Sequence, residues 1–191
     1  CWNSHRHRQD GQSLIDEVLQ LGFESIELSH GISAILLQAF YNAVDPYRKE
    51  GCQAIAVSGV HNFCPSPIEV SGDRPDVYEF TSRHRMHRER AIGLTKKSIE
   101  VAAHLGGKYV VLHLGHTAMK DFTSRLTAFA IDGEYESKGF LALRAKMIKK
   151  RESLKGKHLD LVRKALDELI PYSEAKGVRL GLESRSRYEQ V

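Results

Sequence analysis

The chain has 191 residues, 41% of them apolar and 27% charged, ordinary values for a soluble globular protein with one sizeable core. Its formal charge of +4, from 28 Lys+Arg and 24 Asp+Glu, favours small anions near a basic cleft but is too small to mark nucleic acid as a partner. The odd count of cysteines, Cys1, Cys52 and Cys64, with no CxxC spacing, suggests neither a disulfide framework nor a structural zinc site, and no apolar run reaches the ~18–20 residues of a membrane span.

The opening Cys1-Trp2-Asn3-Ser4 and the closing Tyr188-Glu189-Gln190-Val191 both read as cuts through a longer protein. With no leader pattern, a reducing cytoplasm is the expected compartment. Along the chain, short β-like runs alternate with helical ones, as βα units of a parallel sheet do. Ser13–Leu21 carries a helical apolar stripe, with Ser13 as N-cap and Gly22 as stop, and 23–29 alternates as a strand ending at His30-Gly31. A helix from Ser33 is expected to stop near Asp45-Pro46, because proline pushes its predecessor out of the helical region. Residues 53–60 form the next strand, followed by His61-Asn62-Phe63-Cys64-Pro65. A helix from about Arg83 to Leu105 ends at Gly106-Gly107, 108–114 is a buried strand, and 178–183 is the last one.

Three repeats of helix, glycine, strand and polar tip indicate a repeated βα architecture; no GxGxxG or GxxxxGK[ST] favours a nucleotide-binding sheet. The segment 118–157 breaks the rhythm with a charged insertion rich in Lys and Arg. It reads as a solvated helical extension at the sheet's mouth, with a basic lid over an anionic substrate or a subunit contact as alternatives. The whole chain, 1–191, is then a single domain.

In a parallel β/α barrel the site is built from the C-terminal strand ends. Those ends carry Trp2-Asn3-Ser4-His5, Glu27 with His30, His61-Asn62, His113 with His116, and Glu183-Ser184-Arg185. Glu183 closes an apolar run of Val178, Leu180 and Leu182, where an unpaired charge is costly. A bound cation, or a salt bridge to Arg185 or a neighbouring Lys, would relieve it, and metal ligation or general-base work is the functional reading. His113 and His61 are site candidates by their tip positions, with a hydrogen-bonded core histidine as the alternative for His113. His116 and His5 are candidate substrate contacts from loops. His7, His84, His87, His104 and His158 read as surface residues, as does the basic run 83–90, with a phosphate contact from Arg90 as its alternative. Cys64 has no partner spacing for a nucleophile.

The phrases LGFESIELSHG (21–31), VSGVHNFCP (57–65), AAHLGGKYVVLHLGH (102–116) and EAKGVRLGLESR (174–185), in this order and spacing, resemble the xylose isomerase-like barrel superfamily. That group holds sugar isomerases and epimerases together with endonuclease IV-type repair enzymes. The resemblance implies a parallel (β/α)8 TIM-type barrel, present as an incomplete barrel of about five β/α units. It implies a divalent metal ion (Mn, Mg, Co or Zn), with the metal-binding Glu of the family's fifth strand falling on Glu183. The metal-binding histidines of the endonuclease branch fall on His61 and His113. The activity implied is isomerisation or epimerisation of a sugar or sugar phosphate through an enediolate, with Glu183 as ligand and possible base. Trp2, Asn3, His5, Asn62, His116 and Arg185 would contact substrate. The alternatives are a metal-dependent phosphodiesterase of the endonuclease type and a non-catalytic sugar-binding barrel. The family's further metal ligands lie on later strands, so the isolated fragment is expected to be inactive; no membrane contact is expected, and a homo-oligomer is allowed.

Overall fold

A computed structural model describes residues 4–49, 55–69 and 77–191. Its strands are β1 (Ser25–Leu28), β2 (Ala56–His61), β3 (Tyr109–His113) and β4 (Arg179–Glu183), paired side by side in chain order and all parallel. The helices are α1 (Ser4–His7), α2 (Gly11–Gln20), α3 (Ala34–Lys49), α4 (Arg85–Leu105), α5 (Thr123–Ile131) and α6 (Lys138–Ala175). Successive parallel strands need a crossover, and α3, α4 and α6 supply it, as in a barrel wall. Four of the five expected strand ends thus sit on strands. Trp2 and Asn3, at the remaining one, lie outside the described residues, and the chain after them is the short helix α1.

Strand alternation separates two faces of the sheet. Ile26, Leu28, Val57, Val60, Val110 and Leu112 are buried on the face covered by helices. They pack against Leu14 and Ile15 of α2, Leu36 and Phe40 of α3, Leu94 and Ile99 of α4, and Val162, Ala165 and Leu169 of α6 in one core. Glu27, His61, Tyr109 and His113 occupy the other face and are only partly covered. Between Ile26 and Glu27 the β1–β2 register shifts by one residue, so that Glu27 lies opposite Gly59 rather than Ser58. This bulge places glycine, not serine, beside Glu27 on the open face.

Several boundaries depart from the sequence expectations. The N-cap of α2 is Asp10, whose carboxylate accepts from Ser13 N at 3.0 Å; Ser13 lies three residues further in, and it donates its own hydroxyl to the same carboxylate. Aspartate is the better acceptor for those free N–H groups. Helix α3 does not stop at Asp45 but runs through Pro46 to Lys49. Proline there falls in the last turn, where it removes one hydrogen bond, while the preceding turns are anchored in the core by Leu36, Leu37, Phe40 and Val44. The 118–157 segment is not a separate excursion: its second half and the last helix are one 38-residue helix, α6. A second small core of Phe122, Leu143 and Met147 holds α5 against the first half of α6. His158, expected at the surface, is buried in α6; its Nε2 accepts from Ala118 N at 3.2 Å and its Nδ1 donates to Leu154 O at 2.9 Å. It ties the β3 exit loop to the long helix. No helix among the described residues is long and apolar enough to cross a membrane.

Candidate metal centre

His113 and Glu183 end neighbouring strands on the same rung of the β3–β4 ladder. Both point to the open face, because both are one step out of phase with the buried Leu112. His61 ends β2 on that face too. The result is a cluster in which one ligand atom from each of His61, His113 and Glu183 lies within 4.8 Å of the others. His61 Nε2 is 2.8 Å from His113 Nε2 and 3.3 Å from Glu183 Oε2, and His113 Nε2 is 3.6 Å from that same oxygen. Of the salt-bridge partners weighed for Glu183 in the sequence, Arg185 lines the small recess beside it with His113 and Gln190.

These atoms suit a small divalent ion. Ligands at the usual ~2.0–2.1 Å of a tetrahedral site lie about 3.3 Å from one another. The three separations here bracket that value, so an ion fits with ring and carboxylate shifts of a few tenths of an ångström. The tautomer is set from behind. His61 Nδ1 donates to Glu27 Oε1 at 3.1 Å, which leaves the lone pair on Nε2, facing the cluster. Glu27 is held in turn by Tyr109, whose hydroxyl donates to Oε2 at 2.9 Å. Hydrogen bonding from His61 keeps the Glu27 carboxyl below its ordinary range against the opposing effect of burial, with Tyr109 adding to it. It is therefore a charged acceptor at neutral pH.

Gly59 makes this arrangement possible. A Cβ at this position would sit 2.4 Å from Cε2 of Tyr109, so the ring lies where a side chain on β2 would otherwise be. Glu27 was visible in the sequence as a strand-tip carboxylate, but Tyr109 was not: it begins its strand, and its role depends on a glycine across the sheet. His30 adds an edge, its ring centroid 5.7 Å from that of His61.

The other expected site residues are placed as follows. Asn62 is 3% exposed and committed to α4, donating from Nδ2 to Thr95 Oγ1 and accepting from Ser98 Oγ at Oδ1, both at 2.9 Å. It braces the loop after β2. His116 is exposed and donates from Nδ1 to Glu79 Oε1 at 2.7 Å. With Glu79, Asp121, Arg187, Glu189 and Gln190 it lines a polar cavity of about 260 Å3. Gln190 also lines the recess beside Glu183, so the cavity borders the cluster. His5 is exposed on α1, which packs on α2 rather than on the sheet face. Cys64 is fully buried, and burial pushes its thiol up to about 12, which leaves it without thiolate at neutral pH.

Glu189 was not singled out in the sequence. It is nearly buried beneath α5, accepting from Phe122 N and Thr123 N at 2.7 and 2.9 Å and from Thr123 Oγ1 at 2.6 Å. Burial raises its pKa, but the hydrogen bonds from Thr123 and Phe122 outweigh that and hold it low. Next to it Asp121, drawn down to about 2 by the Ser124 N–H and then by Arg187, pairs with Arg187 at 2.5 Å. Glu189 reaches the N-terminus of α5 from 66 residues further along the chain, so no local sequence pattern pointed to it.

Comparison with known proteins agrees with the parallel β/α fold. Residues 15–190 match the profile of the xylose isomerase-like TIM barrel family. No curated protein gives a significant match. Among solved structures, a D-tagatose 3-epimerase-like protein superposes with a TM-score of 0.54 at 16% identity, over 92% of this chain and 49% of its own. The 3-keto-D-glucoside 4-epimerase from E. coli gives 0.57 at 13% identity, over 95% and 54%. An L-ribulose 3-epimerase gives 0.50 at 17% identity, over 94% and 46%. The chain therefore spans about half the length of these structures. At such identities the likeness is one of fold. With the profile matched over nearly the whole sequence, the chain belongs to the xylose isomerase-like TIM barrel family.

Proposed function

We propose that this chain carries part of the active site of a sugar isomerase or epimerase that depends on a divalent metal ion. The observation that carries the reading is the convergence of His61, His113 and Glu183 at the C-terminal ends of three adjacent parallel strands. The epimerase names of structures sharing the fold support the substrate class. His61, His113 and Glu183 would hold a divalent ion, which would supply a Lewis acid to the substrate carbonyl.

The chain's own residues do the rest. Glu27 keeps the proton on His61 Nδ1, and Tyr109 keeps Glu27 in place. Glu183 is 44% exposed along its side chain, so its carboxylate is open to a substrate carbon and takes the proton next to the carbonyl. The bordering cavity offers carboxylates, an amide, an imidazole and Arg187 to sugar hydroxyls or a phosphate, and Gln190 also lines the recess beside Glu183. Arg185, beside Glu183, steadies negative charge on the substrate. Trp2 and Asn3 keep their proposed substrate contacts, and the cytoplasm remains the proposed compartment.

Two histidines in a three-residue ligand set also suit a phosphodiesterase of the endonuclease type. Metal content separates the readings: one ion per full-length protein, of the Mn, Mg or Co type, supports the isomerase, and a multi-zinc cluster supports the nuclease. Glu183→Gln in the full-length protein is expected to lower both metal occupancy and turnover on a panel of aldoses and ketoses. Unchanged occupancy and turnover would overturn the proposal.

A further inference from the structure

The charged 118–157 segment has no part in the metal centre, yet it builds a cavity of its own. Lys120 and Arg125 form one wall and Lys146, Lys149 and Lys150 of α6 the other, around a space of about 500 Å3 whose floor includes Phe122. No acidic residue lines it. Among the described residues none of these five cations has an ion-pair partner, whereas Lys155, one turn further along α6, is paired with Glu152. The walls are fixed with respect to each other. Phe122, Leu143 and Met147 lock α5 to α6 beneath the cavity, and Glu189 holds the first turn of α5. Held together on packed helices, like charges repel, and an anion bound between them offsets that cost.

We infer that this cavity is a binding site for a small molecule carrying two phosphate groups, a diphosphate ester or a bisphosphate. The charge count selects the class. One phosphate ester brings about −1.5 to −2 at neutral pH against five cations, and two phosphates bring about −3 to −4, which offsets most of that charge. The volume lies within the range of small-ligand pockets, about 300–1,000 Å3. The site is distinct from the metal centre and does not rest on the isomerase reading.

The test is calorimetric titration of the 191-residue chain with inorganic pyrophosphate and, at matched ionic strength, with inorganic phosphate. Pyrophosphate is expected to bind at least about tenfold more tightly than phosphate, each further charged hydrogen bond being worth about that factor. The double variant Lys146→Gln/Lys150→Gln is expected to weaken pyrophosphate by about tenfold or more. Lys157→Gln, on the same helix but outside the cavity lining, is expected to leave it within about twofold. Thermal unfolding checks that each variant folds, and added pyrophosphate is expected to raise the Tm of the parent and not of the double variant. Equal affinity for phosphate and pyrophosphate would overturn the site, and so would a Lys157→Gln loss as large as that of the double variant. A DNA duplex that binds through Lys146 and Lys150 while pyrophosphate does not bind would overturn it as well, marking a nucleic-acid surface instead.

Discussion

Removing Glu27 should weaken metal binding although Glu27 is not among the proposed ligands. Its carboxylate receives the His61 Nδ1 proton at 3.1 Å and the Tyr109 hydroxyl at 2.9 Å. Glu27→Ala leaves the His61 ring free to rotate and to present the protonated nitrogen to the ion. Loss of such a supporting carboxylate typically costs about 10–100-fold in metal affinity. The 3.1 Å contact is long and the Glu27 side chain is 34% exposed, so water replaces part of the interaction. The expected loss is therefore near the lower end, about 10–30-fold, or about 1.4–2 kcal/mol. Glu27→Gln retains a carbonyl acceptor for His61 and turns its NH2 towards the Tyr109 oxygen, so about threefold is expected. The assay is competition of this chain with a chromophoric chelator for Zn2+ and Co2+ at neutral pH. If Glu27→Ala bound both ions as tightly as the parent, the idea that His61 is oriented from behind would fail.

Gly59→Ala puts a methyl group where the Tyr109 ring lies, so it should cost about 1–3 kcal/mol of stability and lower metal affinity in the same direction as Glu27→Ala; normal denaturant midpoint and normal affinity would contradict it. Glu189 has a folded pKa below its ordinary 4.5, so its contribution is fully present above that pH and is lost as pH falls through the lower folded value. Glu189→Gln should cost about 1–3 kcal/mol at neutral pH and make the acid limb of the stability profile shallower, which urea melts across pH would detect. An acid limb as steep as the parent's would show that Glu189 does not contribute to it. In the folded protein, iodoacetamide should leave the Cys64 peptide unmodified at mildly alkaline pH and modify it after denaturation, read by peptide mass mapping; rapid native labelling would contradict its burial.

Features carried by local pattern were legible in the sequence. Apolar runs ending in His61, His113 and Glu183 located the strands, and in a parallel sheet the strand ends necessarily converge. The left-handed glycines at 22, 106 and 177 closed α2, α4 and α6 as their positions suggested. Features set across the sheet were not legible. Tyr109 looks like any strand aromatic until the register shift places Gly59 opposite Glu27. Asn62 sits at a strand tip like a substrate contact, but its amide faces Thr95 and Ser98 of a helix three dozen residues away. His158 lies in a stretch of lysines, and its contact with the loop from β3 is not visible in the local pattern. The continuity of α6 was hidden because the charged half lacks a core-facing stripe as wide as that of the second half, which packs on β4.

The shared rung of His113 and Glu183 has one more consequence. Their separation is indexed to the hydrogen-bonded ladder, so it does not depend on the length of the connection between β3 and β4. That connection contains α5 and all of α6, and the two side chains still face each other. The centre is thus insulated from change in the very segment that varies most easily in such folds. The basic cavity lies in that connection, and a ligand bound there would leave the place where the ion would sit unchanged.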